Sequence, residues 1–253
     1  MARYQVILAY DGTQYRGFQR QAKARTVQSV VEAALRELGW SGRTILSAGR
    51  TDTGVHASGQ VIAFDLDWNH LPDELGAALN AQLPDDVAAR SVRLVESGFH
   101  PRYDAVARTY RYRIYCQAHR HPLLERYAWR VWPAVDFVLL QQAASLLIGK
   151  RDFAAFCTPP RPGGSTQRTV FQAQWIRDDQ ELTFEITADA FLYRMARRLV
   201  SIQVEIGQGR RGLDALAQAL ESPPASALQG LAPPQGLTLV EVTYPSDGAR
   251  IID

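Results

Sequence analysis

The group in this 253-residue sequence best suited to chemistry is a carboxylate set between an arginine and a glycine, in Ser47-Ala48-Gly49-Arg50-Thr51-Asp52-Thr53-Gly54-Val55-His56. A guanidinium two residues from an aspartate holds the carboxylate ionised, and an ionised carboxylate serves as a nucleophile or a general base rather than as a proton-sharing acid. By residue type alone the same stretch is also a polar turn, because Asp and Gly are what turns require. A second cluster, Cys116, His119 and His121, falls in a turn after a strand-like run. Three such residues there read as ordinary loop and core residues, so no metal site is expected.

Asp52 has to be positioned by the elements around it. Residues 44–48 and 60–66 are strand-like, and residues 49–59 connect them. Ahead of them, residues 4–10 alternate as a strand does, and Asp11-Gly12 breaks the pattern as a turn. Val27, Val30, Val31, Ala34, Leu35 and Leu38 share one helical face, with Thr26 or Ser29 to cap the helix and Gly39 or Gly42 to stop it. Residues 72–83 form a helix with Pro72 in its first turn, and residues 87–95 a strand. The order is β-α-β-β-α-β. The second half repeats it: a strand at 106–116, a helix at 136–149, a hairpin of 170–177 and 182–187 around Asp178-Asp179, a helix at 191–206, a shorter one at 213–220, and a strand at 237–244. The expected fold class is α+β, with two ferredoxin-like halves and largely antiparallel sheets. A boundary within residues 98–104 gives a domain 1–103 carrying the Asp52 loop and a domain 104–253. Two loops rich in proline, 158–166 and 222–236, read as connections.

With 46% hydrophobic and 21% charged residues, the composition is that of an ordinary globular chain with two cores. A net charge of only +2 excludes a strongly basic nucleic-acid coat. The basic residues are nonetheless lopsided: of 28 Lys+Arg only Lys23 and Lys150 are lysine, leaving 26 arginines. A guanidinium forks onto phosphate and stacks on bases, which is compatible with RNA binding, although a GC-rich genome produces the same bias. Two cysteines are too few for a disulfide framework, so a reducing cytoplasm is expected. The N-terminus runs straight into a strand pattern and no apolar stretch approaches bilayer-spanning length, so neither an export signal nor a membrane anchor is expected.

Gly49-Arg50-Thr51-Asp52-Thr53-Gly54-Val55-His56-Ala57, followed by Gln60-Val61 and Phe64, resembles the catalytic motif of the tRNA pseudouridine synthase A family. Further similar segments occur in that family's order: Tyr10-Asp11-Gly12-Thr13 with Gly17-Phe18-Gln19, Thr26-Val27-Gln28, Leu79-Asn80 with Leu83-Pro84, and Phe99-His100 with Arg102. They continue through Arg108-Thr109-Tyr110-Arg111-Tyr112, Asp152-Phe153 with Phe156, Phe191-Leu192 with Met195-Ala196-Arg197, and Gly236-Leu237. The resemblance covers essentially the whole chain.

The resemblance implies a pseudouridine synthase fold and an isomerase that needs no metal or redox cofactor. One aspartate attacks the target nucleoside covalently, the glycosidic bond breaks, and the uracil turns over and rejoins through carbon five. It assigns Asp52 as the nucleophile and Arg50 as the side chain that helps open the RNA and fills the vacated space. Tyr110, which strand pattern alone would make a core or cross-strand residue, becomes the ring packed on the flipped uracil. Arg197, an arginine in a mostly apolar helix, becomes the partner of the Asp52 carboxylate. The substrate implied is the tRNA anticodon stem-loop, at positions 38, 39 and 40, bound across a cytoplasmic homodimer. The sequence departs from the family in having Ser201 where glycine is common. Arginines 102, 108, 111, 113, 194, 197, 198, 210 and 211 are candidate phosphate contacts, against the plainer reading of a solvated helix face for Arg194 and Arg198.

Two other readings stand beside this one. Asp52-Thr53-Gly54 is also the triplet of aspartic proteases, but those need two carboxylates sharing a proton in a nearly all-β frame. A non-catalytic RNA-binding protein of two ferredoxin-like modules would be expected to carry the aromatic signature of RNA-recognition motifs, which the strands lack.

Overall fold

Residues 1–158, 164–179, 181–223 and 227–245 are described by the computed structural model. Its chain divides into two compact units, one of Met1–Val106 with Leu239–Asp253 and the other of Ala107–Thr238.

In the first unit, alternate burial of Tyr4, Val6, Leu8 and Tyr10 draws out strand β1 (Ala2–Tyr10). Helix α1 (Val27–Glu37) follows, and its apolar spacing of three and four puts Val27, Val31, Ala34 and Leu35 into the core. Thr26 and Ser29 cap it reciprocally, so both of the anticipated caps are used, and Gly39 at φ +86° ends it. Then come β2 (Leu46–Ser47), β3 (His56–Leu66), α2 (Pro72–Gln82) and β4 (Val87–Val95). The sheet order is β4-β1-β3 with β2 on the far edge of β3, every pairing antiparallel. The first strand thus lies between the third and fourth, as a ferredoxin-like unit requires.

The boundaries of β2 and β3 differ from expectation in a way that matters for Asp52. β3 begins at His56, not residue 60, so the connection holding Asp52 is shorter than 49–59. Gly59 is the reason a reading by composition stops short. It is a strand glycine, and a Cβ there would lie 2.2 Å from the Val240 carbonyl oxygen. Glycine inside a strand marks close approach of another backbone, but in sequence it looks like a turn residue.

The second unit opens with β5 (Ala107–Tyr115), then α3 (Pro122–Glu125), β6 (Trp129–Arg130), α4 (Phe137–Ser145), β7 (Gly149–Asp152), β8 (Gln167–Asp178), β9 (Glu181–Ala188), α5 (Met195–Gly207) and α6 (Leu213–Glu221). A final strand, β10 (Leu237–Thr243), completes the chain's elements. The antiparallel order is β5-β9-β8-β7, and β6 adds to β5 in parallel. Trp175 and Phe184, opposite each other on β8 and β9, pack with ring centroids 5.2 Å apart in the core.

Helix α5 starts at Met195 rather than at residue 191, because Arg194 takes a left-handed backbone at φ +66° that no helix can run through. The short α3, β6 and β7 were not anticipated, since two to four residues carry no readable period. Of the two proline-rich loops, residues 159–163 and 224–226 lie outside the described residues, as does residue 180 in the β8–β9 turn. Among the described residues, no helix is long and apolar enough to cross a membrane.

Candidate active site

Asp52 sits in the loop between β2 and β3, and the segment that follows β1 fixes the loop's shape. The Tyr10 hydroxyl and Thr51 Oγ1 are hydrogen-bonded at 2.8 Å in full burial. Burial pushes the Tyr10 phenol up to about 12, so it stays a neutral partner. The Gly12 amide donates to His56 Nδ1 at 3.0 Å. A Cβ on Gly12 would lie 2.0 Å from the Val55 carbonyl oxygen, so only glycine lets this turn seat on the loop. The Phe18 amide donates to the Thr51 carbonyl at 3.1 Å, and the Gly54 amide to the Tyr15 carbonyl at 3.3 Å.

Within the loop the Val55 amide closes on the Asp52 carbonyl at 3.1 Å, a tight turn with Gly54 at φ +77°. Gln60 Nε2 ties down the Gly49 carbonyl at 3.1 Å. The backbone is therefore fixed before and after Asp52, whose side chain is half-buried. Arg50, on the same loop, is exposed and, among the described residues, makes no ion pair. That corrects one reading: Arg50 does not pair with Asp52, its neighbour two residues on.

In the second unit, β5 carries Ile114 and Tyr112 fully buried, with Tyr110 and Arg108 half-buried further along the same face. The Tyr112 hydroxyl donates to the Pro233 carbonyl at 2.6 Å, and burial drives its phenol far above the usual range. Tyr110 instead meets Phe191 edge-on, with centroids 4.8 Å apart at 72°. On α5, Arg197 is only 9% exposed. Its Nε donates to the Ala232 carbonyl at 2.8 Å, and the Ala232 amide returns a bond to the Arg197 carbonyl at 3.2 Å. Ser201, one turn on and buried, lies against Gly230 at φ +103°, where a Cβ would come within 2.7 Å of Ser201 Oγ.

The other arginines separate clearly. Arg194 is exposed, its guanidinium 4.8 Å from the Tyr193 ring centroid, in keeping with a solvated position. Arg198 is not on a solvated face: it is half-buried and its Nη1 donates to the Leu228 carbonyl at 2.6 Å. Arg111, Arg113 and Arg211 are paired with Glu185, Glu181 and Glu205. Arg108 donates to the Asp189 carbonyl at 2.8 Å, and Arg102 and Arg210 are exposed. Among the described residues, no three His, Cys, Asp or Glu side chains are grouped to hold a metal ion.

Sequence reading missed the roles of Tyr10, Gly12 and Phe18 in shaping the Asp52 loop. The available signal was the two segments containing them, which shared the family's order but suggested no task.

The family model described as tRNA pseudouridine synthase matches residues 6–104 and 143–245. A tRNA pseudouridine synthase A of Geobacillus sp. (strain WCH70) is 37% identical over 244 residues, covering 96% of this chain and 98% of its own. That of Acetivibrio thermocellus is 38% identical over 244 residues, covering 96% of this chain and all 100% of its own. That of Lactiplantibacillus plantarum is 38% identical over 247 residues, covering 96% and 94%. Among solved structures, a Cbf5-Nop10-Gar1 complex aligns with 97% of this chain and 50% of its own at 11% identity and a TM-score of 0.37, a likeness too slight to bear on fold or function.

Proposed function

The chain belongs to the tRNA pseudouridine synthase family, and from that premise we propose that it converts uridine to pseudouridine in the tRNA anticodon stem-loop, at positions 38, 39 and 40, with Asp52 as nucleophile. Membership in the family removes the aspartic protease reading. The observation that carries the assignment of Asp52 is its loop: a half-buried carboxylate whose flanking carbonyls are held by the Phe18 and Val55 amides, on the residues that match the family's catalytic motif. A fixed backbone around an attacking group is what a nucleophile needs, since orientation is a large part of any covalent step.

The reaction is balanced without a second substrate. The bond from the sugar's C1′ to N1 of uracil breaks, a bond from C1′ to C5 forms, C5 loses its proton to solvent and N1 gains one. The uridine has to leave its stack to reach the carboxylate, an unstacking that costs roughly a few kcal/mol. Arg50, exposed on the same loop, is the side chain to fill the gap. Tyr110, braced edge-on by Phe191, stacks on the extruded base. Arg197 is the residue that the family resemblance assigns as partner of the Asp52 carboxylate. The enzyme works as a cytoplasmic homodimer with tRNA as its partner, as the resemblance implies.

The test is release of tritium from tRNA labelled at C5 of uridine. Native protein releases label, and Asp52→Ala and Asp52→Asn abolish release while still binding tRNA. Turnover in either variant would sink the nucleophile assignment, and tight tRNA binding by native protein with no release would leave a binding module instead.

A further inference from the structure

Glu32 lies in α1, well away in sequence from the Asp52 loop, and its side chain has no exposed surface at all. Carboxylates are almost never so fully buried unless several donors meet them, because burial strips away their hydrogen bonds to water. Here three elements supply those donors. Arg20 Nη1 reaches Oε2 at 2.6 Å, Gln28 Nε2 reaches Oε1 at 2.8 Å, and the Ile45 amide reaches Oε1 at 3.2 Å. A more distant contact comes from Arg36 Nη2, at 3.9 Å from Oε2.

Each donor leads toward Asp52. Arg20 closes the segment containing Phe18, and the Arg20 amide is itself fixed to Gln28 Oε1 at 2.9 Å. The Gln28 amide holds the Phe18 carbonyl at 2.9 Å, and the Phe18 amide in turn holds the Thr51 carbonyl, the one immediately before Asp52. Ile45 leads directly into β2, the strand from which the loop departs. Gln28 Nε2 also reaches Thr44 Oγ1 at 2.8 Å, so the approach to β2 is pinned twice.

We propose that Glu32 is a positioning residue for the Asp52 nucleophile, acting through Arg20, Gln28 and Ile45 on both the segment that clamps Thr51 and the strand that starts the loop. An apolar side chain of similar size would fill the space but could accept from none of these three donors. The inference rests on Asp52 being the nucleophile.

Two readings on Glu32→Gln, made on the whole chain well below its melting temperature, test it. The first is the single-turnover rate of tritium release at saturating anticodon stem-loop RNA, alongside the Kd for that RNA. The second is hydrogen exchange at the Phe18 amide. The expected result is a rate lowered 10-fold or more, Kd within twofold of native, and faster exchange at Phe18. Arg20→Met should reproduce it, and the double variant should be no slower than the worse single one, because the two changes break one contact. Arg36→Met should leave the rate within twofold. If Phe18 stays protected in Glu32→Gln, or if it exchanges faster while the rate is unchanged, Glu32 has no positioning role. Should Glu32→Gln fail to fold, Arg20→Met carries the same readings. A native protein that releases no tritium overturns the proposed function, which the Phe18 exchange does not depend on.

Discussion

At Tyr10 a single hydroxyl links β1 to Thr51, the residue before Asp52, and its neutrality has measurable consequences. Tyr10→Phe leaves buried Thr51 Oγ1 without that partner, which should cost about 1–2 kcal/mol at neutral pH in denaturant unfolding. The sign of the pH dependence follows from burial. Tyr10 titrates near 12 folded against 10.0 for an ordinary tyrosine, so its stabilising share is intact below pH 10 and is lost as pH rises through 12. The native protein should therefore weaken over that alkaline range more than Tyr10→Phe does, and equal alkaline slopes would contradict the buried neutral phenol. The sequence singled out Asp52 as the candidate because it lies in a long, specific motif. The clamp was not legible. It is built from the Phe18 and Thr51 backbones, which look like generic turn residues until the fold brings them together. Arg50 shows the opposite error: its closeness to Asp52 along the chain suggested an ion pair, although a neighbour two residues away in a turn need not point the same way.

Among the elements, regular helices and strands with a full period were readable almost to the residue, as α1, α2 and β4 show. What escaped were elements whose ends depend on a backbone exception. Helix α5 is the clearest case: residues 191–206 carry an uninterrupted helical pattern, yet Arg194 at φ +66° delays the start to Met195. The same helix shows how the buried Ser201 is accommodated. Ser201 adds a side chain to the face that meets Gly230, and Gly230 can accept it because it has no Cβ and adopts φ +103°. Gly230→Ala should therefore destabilise the protein twice over, by backbone strain and by contact with Ser201 Oγ, for a total of about 2–3 kcal/mol. Adding Ser201→Gly should recover only the contact part, since the left-handed backbone remains. Thermal or denaturant unfolding of both single variants and the double one measures this, and full recovery in the double variant would mean that the strain at residue 230 is negligible.

For the molecule as a whole, a net charge of +2 leaves little long-range attraction for a polyanion, so the distribution of arginines must decide how RNA is held. In sequence, nine arginines were candidates, because a guanidinium in a string of letters carries no sign of whether it is already paired. Folding sorts them by their carboxylate neighbours. Arg111 lies opposite Glu185 on β9 and Arg113 reaches diagonally to Glu181, and that local neutralisation removes most of what each could offer a phosphate. Arg194 and Arg210 are exposed and lack a carboxylate partner among the described residues. Each phosphate contact contributes about 0.7–0.9 to the slope of log affinity against log salt, through release of a counterion. Replacing Arg194 or Arg210 by Ala should flatten the slope for anticodon stem-loop RNA by about that amount, whereas Arg111→Ala and Arg113→Ala should leave it nearly unchanged. Titrations from low to physiological salt separate the two groups. A uniform loss of slope across all four variants would show that Glu181 and Glu185 give up their arginines when RNA binds, and that charge pairing in the free protein does not select the RNA-binding set.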